Sequence, residues 1–234
     1  MKKLLISMIF SFSFLFALNP MILPIKGVDV VHTYSNGKKE SIKIQREDPL
    51  ICSQFGITPE NFQSGNIASK KIPLQCKKTF ITTKGVIQPF TLYEGIKTVG
   101  ELEVLEFIQE KAMKEPEKYI LVDSRRNDWF DMGTIPSAVN IPYDEYKLDE
   151  DFKEEYKRAY KLLGVKLKNK KYDFSDAKTV MFFCNGAWCA QSPKAIDILV
   201  RIGYPKKKIL WYRGGIASWV GVSLTLTKNI EAIK

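Results

Sequence analysis

Two cysteines five positions apart are the residues of this chain best suited to covalent chemistry. Cys184 and Cys189 lie in residues 182–193, with the sequence FFCNGAWCAQSP. The apolar, β-forming residues 179–183 predict a buried parallel strand that ends directly before Cys184. Pro193 suits the first turn of a helix. A strand, a loop and a helix therefore follow one another, and ligands of parallel sheets bind at the edge where such strands end.

The loop between this strand and helix is predicted to form an anion-binding cradle. Its backbone N–H groups and the helix N-terminus can converge on one point, where they stabilise negative charge. A thiol held there is expected to lose its proton easily, which makes Cys184 the predicted catalytic nucleophile. A buried, inert cysteine at a strand end is the alternative. The substrate-binding loop is predicted to comprise Asn185, Gly186, Ala187, Trp188, Ala190, Gln191 and Ser192.

Cys189 has three interpretations, which the sequence leaves open. It is a resolving thiol that forms a disulfide with Cys184, a sulfur acceptor or relay, or a packing residue. A disulfide can close if the two Cα atoms come within about 7 Å. A metal site is not predicted, because the spacing is not Cys-x2-Cys and the chain has one His, and no cofactor is expected.

The elements around this loop alternate between strand and helix. Strands are predicted over residues 119–122, 138–141, 179–183 and 209–212, and helices over 101–112, 152–163 and 193–202. Thr98 and Glu101 fit a capping box before the first helix, and Gly203 fits a C-terminal cap after the last. This alternation predicts an α/β fold, a doubly wound parallel sheet with helices on both faces.

The N-terminal part of the chain differs in character. Lys2 and Lys3 precede an apolar run over residues 4–18, which predicts a signal peptide over 1–18 and an exported, periplasmic location. The run is short for a membrane span. An uncleaved anchor is the alternative, and only with such an anchor would the membrane be a partner. Residues 19–97 are predicted to be a loop- and β-rich extension of unknown role, with β-like runs at 28–31, 41–44 and 79–83 and a short helix from Thr58. His32, in this extension, is expected to be a surface or packing residue.

Export changes the interpretation of the four cysteines, because disulfides persist outside the cytosol. Four cysteines allow three pairings, and the spacing favours Cys52 with Cys76 and Cys184 with Cys189.

The formal net charge is +10. The basic runs at 166–171 and 206–208 are interrupted by apolar residues or lie in a turn. We therefore expect these runs to form solvated loops, and no nucleic-acid partner is expected.

Residues 98–225 resemble a rhodanese domain, the sulfurtransferase fold, and a short tail over 226–234 follows. Residues 121–125, LVDSR, resemble the family's strand that ends in Asp-x-Arg. Residues 133–142, GTIPSAVNIP, resemble its Gly-His-Ile-Pro-Gly-Ala-x-Asn-Ile-Pro signature, with Thr134 in place of His. Phe183 and Cys184 match the strand and active cysteine. Residues 203–204 and 210–215, GY and LWYRGG, match the closing segment with Trp219.

The resemblance implies transfer of a sulfane sulfur through a persulfide on Cys184. A small anionic sulfur donor, often thiosulfate, and a thiol acceptor are the implied partners. Asp123 and Arg125 are expected far from Cys184 along the path of the chain, in a structural role, with shaping of the cysteine loop as the alternative. Arg213 is a candidate for supplying positive charge to the pocket.

Departures from the family pattern keep other functions open. Ser192 is eight positions after Cys184, about two more than the family's usual spacing, and the loop contains no Arg or Lys. A related thiol phosphatase needs Arg six positions after the cysteine, where this chain has Ala190. A thioredoxin-like fold is disfavoured because 45 residues follow Cys189. A thiol–disulfide redox protein with a partner protein, and a non-catalytic rhodanese-like binding module, remain the alternatives.

Overall fold

The structure, a computed structural model, describes residues 27–45, 87–168 and 171–228. Several predictions lie outside these residues: the signal peptide over 1–18, the helix from Thr58, the strand at 79–83 and the Cys52–Cys76 disulfide. Within the described ranges, no helix has the length and apolarity that crossing a membrane requires.

Nine strands run through these residues. They are β1 (Val28–Thr33), β2 (Lys39–Ile44), β3 (Lys97–Val99), β4 (Tyr119–Asp123), β5 (Val139–Asn140), β6 (Lys166–Lys168), β7 (Lys171–Asp173), β8 (Thr179–Phe183) and β9 (Ile209–Tyr212). Five of them form a parallel sheet in the order β3-β9-β8-β4-β5. The central strands β4 and β8 are apolar along almost their whole length because both faces of the sheet are covered.

Five α-helices cover this sheet. They are α1 (Glu101–Phe107), α2 (Asn127–Met132), α3 (Lys153–Leu162), α4 (Gln191–Arg201) and α5 (Gly215–Gly221). A π-helical turn (Ile108–Ala112) extends α1, and 3₁₀ turns (Glu150–Phe152 and Lys206–Lys208) precede α3 and β9. The α/β fold predicted from the sequence is confirmed.

Each face of the sheet carries its own apolar core. On one face, α3 and α4 pack against β4, β8 and β9 through residues such as Tyr160, Leu199 and Trp211. On the other face, α1 and α5 pack together with the β1–β2 hairpin through residues such as Leu105 and Trp219. The hairpin, which belongs to the predicted N-terminal extension, therefore contributes to the core of the sheet.

His32 lies on that hairpin and is buried, with 1% of its surface exposed. Its Nδ1 accepts a hydrogen bond from Ser137 N–H at 3.3 Å, and its ring packs edge-on against Tyr34. Burial lowers the pKa of His32 to about 4, against a smaller opposing effect of Glu40. His32 is thus a packing residue, one of the two roles expected from the sequence.

Three local predictions need correction. The N-cap of α1 is Gly100, whose N–H donates to the Glu103 carboxylate at 3.0 Å, whereas Thr98 lies in β3. Helix α4 begins at Gln191, two residues before Pro193, because the N–H groups of the first turn need no partner within the helix. The basic residues from 166 form an antiparallel hairpin of β6 and β7 rather than a loop.

Candidate active site

The cysteine loop starts where β8 ends and is held from behind by helix α5. Ile216 N–H donates to Cys184 O at 3.0 Å, and Ala217 N–H donates to Asn185 O at 2.8 Å. In a trans peptide the N–H points away from the C=O. Binding of Cys184 O by α5 therefore turns the N–H of Asn185 to the opposite side, where it hydrogen-bonds the sulfur of Cys189.

Gly215 makes this close approach of α5 possible. Its φ is +54°, in the left-handed region, and a Cβ there would lie 2.1 Å from Cys184 O and 2.8 Å from Gly186 N. No side chain fits at that distance, so the second glycine of the Gly214-Gly215 pair is required by the backbone of the cysteine loop.

Both thiols are free and almost completely buried, with 3% of Cys184 and 8% of Cys189 exposed. The two sulfurs hydrogen-bond each other, and Cys184 Sγ also lies 3.5 Å from Cys189 O. A turn closed by the Cys189 N–H donating to Gly186 O at 2.9 Å folds Cys189 back onto Cys184. The loop thus brings the two predicted thiols together as an unoxidised pair.

The start of α4 supplies donors to both sulfurs. The backbone N–H of Ser192 binds Cys184 and the backbone N–H of Gln191 binds Cys189. These groups belong to the first turn of the helix, where the helix dipole also favours negative charge. Backbone amides at the start of α4 thus stabilise negative charge on both sulfurs.

Ser192 adds a side-chain donor whose direction the structure fixes. Its Oγ lies 3.2 Å from Cys184 Sγ and 3.1 Å from Trp211 Nε1. Because the indole N–H can only donate, Ser192 Oγ accepts from Trp211. The Ser192 hydroxyl proton is then directed at the sulfur of Cys184, within a fully buried pocket.

The protonation of the pair differs from the sequence prediction. Burial, together with the hydrogen bond and charge of Cys189, raises the pKa of Cys184 well above its usual value. The hydrogen bond from Cys184 lowers the pKa of Cys189 to about 7, assisted by the amides of Gln191 and Asn185 and opposed by burial. These directions favour the proton on the more deeply buried Cys184 and the negative charge on Cys189, whereas the sequence predicts an acidified Cys184.

Asp123 and Arg125 lie beside the cysteine loop, not far from it. Strand β4 pairs with β8 so that Asp123 is level with Phe183, the residue before Cys184. Arg125 forms a buried ion pair with Asp123, 2.7 Å from Nη2 to Oδ2, and its Nη1 lies 3.4 Å from Asn185 Oδ1. The distance prediction is wrong because sheet pairing, not chain order, sets the distance between these residues.

Asp123 and Arg125 each make a further hydrogen bond to the signature segment. Thr134 Oγ1 donates to Asp123 Oδ2 at 2.7 Å, and Arg125 Nη2 donates to Gly133 O at 2.7 Å. The signature segment that contains Thr134 is thereby tied to β4, and through Arg125 to the cysteine loop.

Arg213 is used to hold a backbone segment rather than the thiols. Its Nε and Nη2 donate to Gln88 O at 3.1 and 2.9 Å, and Gln88 N–H donates to Ala187 O at 2.8 Å. Gln88 therefore connects Arg213 to the cysteine loop. No pattern in the sequence points to this connection, because these hydrogen bonds to Arg213 and Ala187 are made by the backbone of Gln88.

Trp188 and the adjoining surface complete the site. The half-buried ring of Trp188 covers Gly186, where an added Cβ would lie 2.7 Å from its Cζ3. Next to the loop, a groove of about 650 Å³ is lined by residues that include Ala190, Lys147 and Lys194. Asp144 and Asp197 also line this groove, so its two lysines are balanced by two carboxylates, and neither cysteine lines it. Within residues 27–45, 87–168 and 171–228, no cluster of metal-ligating side chains occurs.

The two thiols lie in a loop at the end of a parallel strand of an α/β domain. A family model described as "Rhodanese-like domain" matches residues 108–221. This part of the chain is a rhodanese-like domain, and the sheet and helices have the rhodanese fold.

Solved structures similar to this chain include the following three. The BH2092 protein of Bacillus halodurans is 21% identical, with a TM-score of 0.39, over 57% of this chain and 78% of that one. The rhodanese-like domain of the Anabaena Alr3790 protein is 18% identical, with a TM-score of 0.36, over 61% and 85%. A thiosulfate sulfurtransferase of Pseudomonas aeruginosa is 15% identical, with a TM-score of 0.38, over 57% and 20%. No curated protein matches the chain.

Proposed function

We propose that this protein is an exported sulfurtransferase in which Cys184 takes up a sulfane sulfur from a small anionic donor. The observation that carries this proposal is the pair of donors on the sulfur of Cys184. Both the N–H and the O–H of Ser192 bind it, at the N-terminus of α4. The same donors would hold the anionic sulfur of a persulfide.

Activation of Cys184 uses the neighbouring thiolate. Cys189 already accepts a hydrogen bond from Cys184, so it can take the proton when Cys184 attacks. With thiosulfate as donor, a new S–S bond forms between Cys184 and the outer sulfur. The bond from that sulfur to the sulfonate breaks and its electron pair leaves on sulfite. Cys189 ends as the neutral thiol and Cys184 as a persulfide anion.

The proposal of export rests on the basic and apolar residues 2–18. An exported location also suits a chain whose cysteines can change oxidation state, because disulfides persist outside the cytosol.

A single-turnover assay with thiosulfate tests this function. We expect one equivalent of sulfite per chain from the unmutated protein and none from Cys184→Ser. The double variant Cys52→Ser, Cys76→Ser is the control, since it removes thiols that lie outside the rhodanese-like domain. Equal sulfite release by Cys184→Ser would refute the assignment.

A thiol–disulfide redox function is the second candidate, and the contact between the two thiols favours it. It predicts a reversible two-electron couple for Cys184 and Cys189 in dithiothreitol redox buffers, without any sulfur donor. A pair that stays reduced across these buffers would exclude this function.

A further inference from the structure

We propose that Cys189 resolves the persulfide on Cys184, so that the sulfur leaves as hydrosulfide and a Cys184–Cys189 disulfide remains. This inference rests on the proposed function and specifies the fate of the transferred sulfur. Outward transfer to an external thiol is the alternative.

The contact between the thiols is the first support. The sulfurs are hydrogen-bonded, and the turn from Gly186 to Cys189 holds them together. Attack by Cys189 on the sulfur of Cys184 therefore needs little movement of the backbone. Such preorganisation replaces a bimolecular encounter by an intramolecular one.

Burial is the second support. With 3% of Cys184 and 8% of Cys189 exposed, the donor and an external acceptor thiol must each wait for the loop to open before they reach Cys184, whereas Cys189 needs no such opening. Trp188 over Gly186 and the Gln88 contact with Ala187 hold the loop in its closed form. Cys189 is already inside this enclosure.

The donors on Cys189 are the third support. The N–H groups of Gln191 and Asn185 stabilise its thiolate, and together with Cys184 they bring its pKa to about 7. The thiolate is the form that attacks a persulfide, so a substantial fraction of Cys189 is reactive near neutral pH.

The step balances without an external oxidant. The sulfur of Cys189 bonds to Sγ of Cys184, the bond from Cys184 Sγ to the outer sulfur breaks, and its electron pair leaves on that sulfur. The proton of the Cys189 thiol accompanies it, giving hydrosulfide. The two cysteines are oxidised to a disulfide and the sulfane sulfur is reduced. A dithiol reductant, such as dithiothreitol or a dithiol protein, restores the thiols by exchange.

One tryptic peptide can report this reaction. Residues 179–194 follow Lys178, end at Lys194 and contain both thiols of the loop but neither Cys52 nor Cys76. The reduced full-length chain is given thiosulfate without reductant, and sulfite, sulfide and the mass of the peptide are measured. We expect one sulfide for each sulfite, and a peptide that has lost two hydrogens.

The Cys189→Ser and Cys189→Ala variants provide the comparison. Both lack the resolving thiol and the proton acceptor, so sulfite release should be slower, no sulfide should appear, and the peptide should gain one sulfur. Urea unfolding checks that each variant is folded. If the variants do not react, the unmutated protein alone decides the question.

The outcomes separate the two proposals. Sulfite release from the unmutated chain with the sulfur retained on the peptide and no sulfide overturns the resolving role and leaves sulfur uptake standing. Absence of sulfite overturns sulfur uptake, and the resolving step with it. Sulfide release that is unchanged in both Cys189 variants also overturns the resolving role.

Discussion

Ser192→Ala is the substitution that best tests the geometry of the cysteine pocket. It removes the hydroxyl that donates to Cys184 Sγ at 3.2 Å and that accepts from Trp211 Nε1 at 3.1 Å. It leaves the backbone N–H of Ser192 in place, so the amide cradle stays. The change therefore removes two side-chain hydrogen bonds, one to Cys184 and one from Trp211.

Two magnitudes follow from this arrangement. A hydrogen bond to a charged group contributes about 1.5–3 kcal/mol. When Cys184 becomes charged during attack, losing that bond should slow sulfite release by a factor of about 10 to 150. Separately, the indole N–H of Trp211 loses its acceptor, and a buried unsatisfied donor costs about 1–3 kcal/mol of unfolding free energy.

A double-mutant cycle with Trp211→Phe separates the two effects. In the Trp211→Phe background no indole donor is left without a partner, so Ser192→Ala should cost about 1–3 kcal/mol less stability than in the unmutated chain. The rate effect should remain in that background, because the hydroxyl on Cys184 is still lost. Urea unfolding and single-turnover sulfite release measure the two quantities.

Two results would refute this reasoning. An unchanged rate of sulfite release in Ser192→Ala would show that the hydroxyl does not stabilise charge on Cys184. Equal stability losses in both backgrounds would show that Ser192 and Trp211 are not coupled.

Three further predictions concern the loop, the hairpin and the thiolate. Gly215→Ala should lower the unfolding free energy by about 2–4 kcal/mol and abolish sulfite release, because its φ is positive and its Cβ would lie 2.1 Å from Cys184 O. Gly221→Ala, where the Cβ meets nothing within 4 Å, is the control and should cause neither loss. Unfolded His32 binds a proton below pH 6.5, whereas burial holds its folded pKa at about 4, so stability should fall by up to about 3 kcal/mol as the pH drops through that interval. This pH dependence should be absent from urea unfolding of His32→Gln. Alkylation of Cys189, followed by peptide mass, should rise with pH around a midpoint of about 7 and level off at higher pH, since the thiolate reacts; a profile that rises only above pH 9 would contradict this.

Sequence patterns gave the local elements of the site with good accuracy. Strand β8 runs over Thr179–Phe183 as the apolar pattern predicts, and Cys184 follows it. The helix after the loop was also predicted, although α4 begins at Gln191, earlier than the proline signal suggested. These features depend on residues close together in the chain, where propensity and periodicity act.

The contacts that give the site its chemistry join residues distant in sequence. Arg125 reaches Asn185 because β4 pairs with β8, and Gln88 reaches Ala187 and Arg213 through its backbone alone. The first contact depends on strand pairing and the second on backbone groups, so neither leaves a pattern in the sequence.

The sequence alone determined that a strand, a cysteine loop and a helix follow one another in a rhodanese-like order, and that Cys189 shares the loop. Only the tertiary structure decided which of the two thiols ionises more easily. That assignment depends on the depth of burial of each sulfur and on the amides that face it. Helix α5 and strand β4 come from distant parts of the chain. Together they hold the cysteine loop in the conformation that sets the burial of each sulfur and the amides that face it.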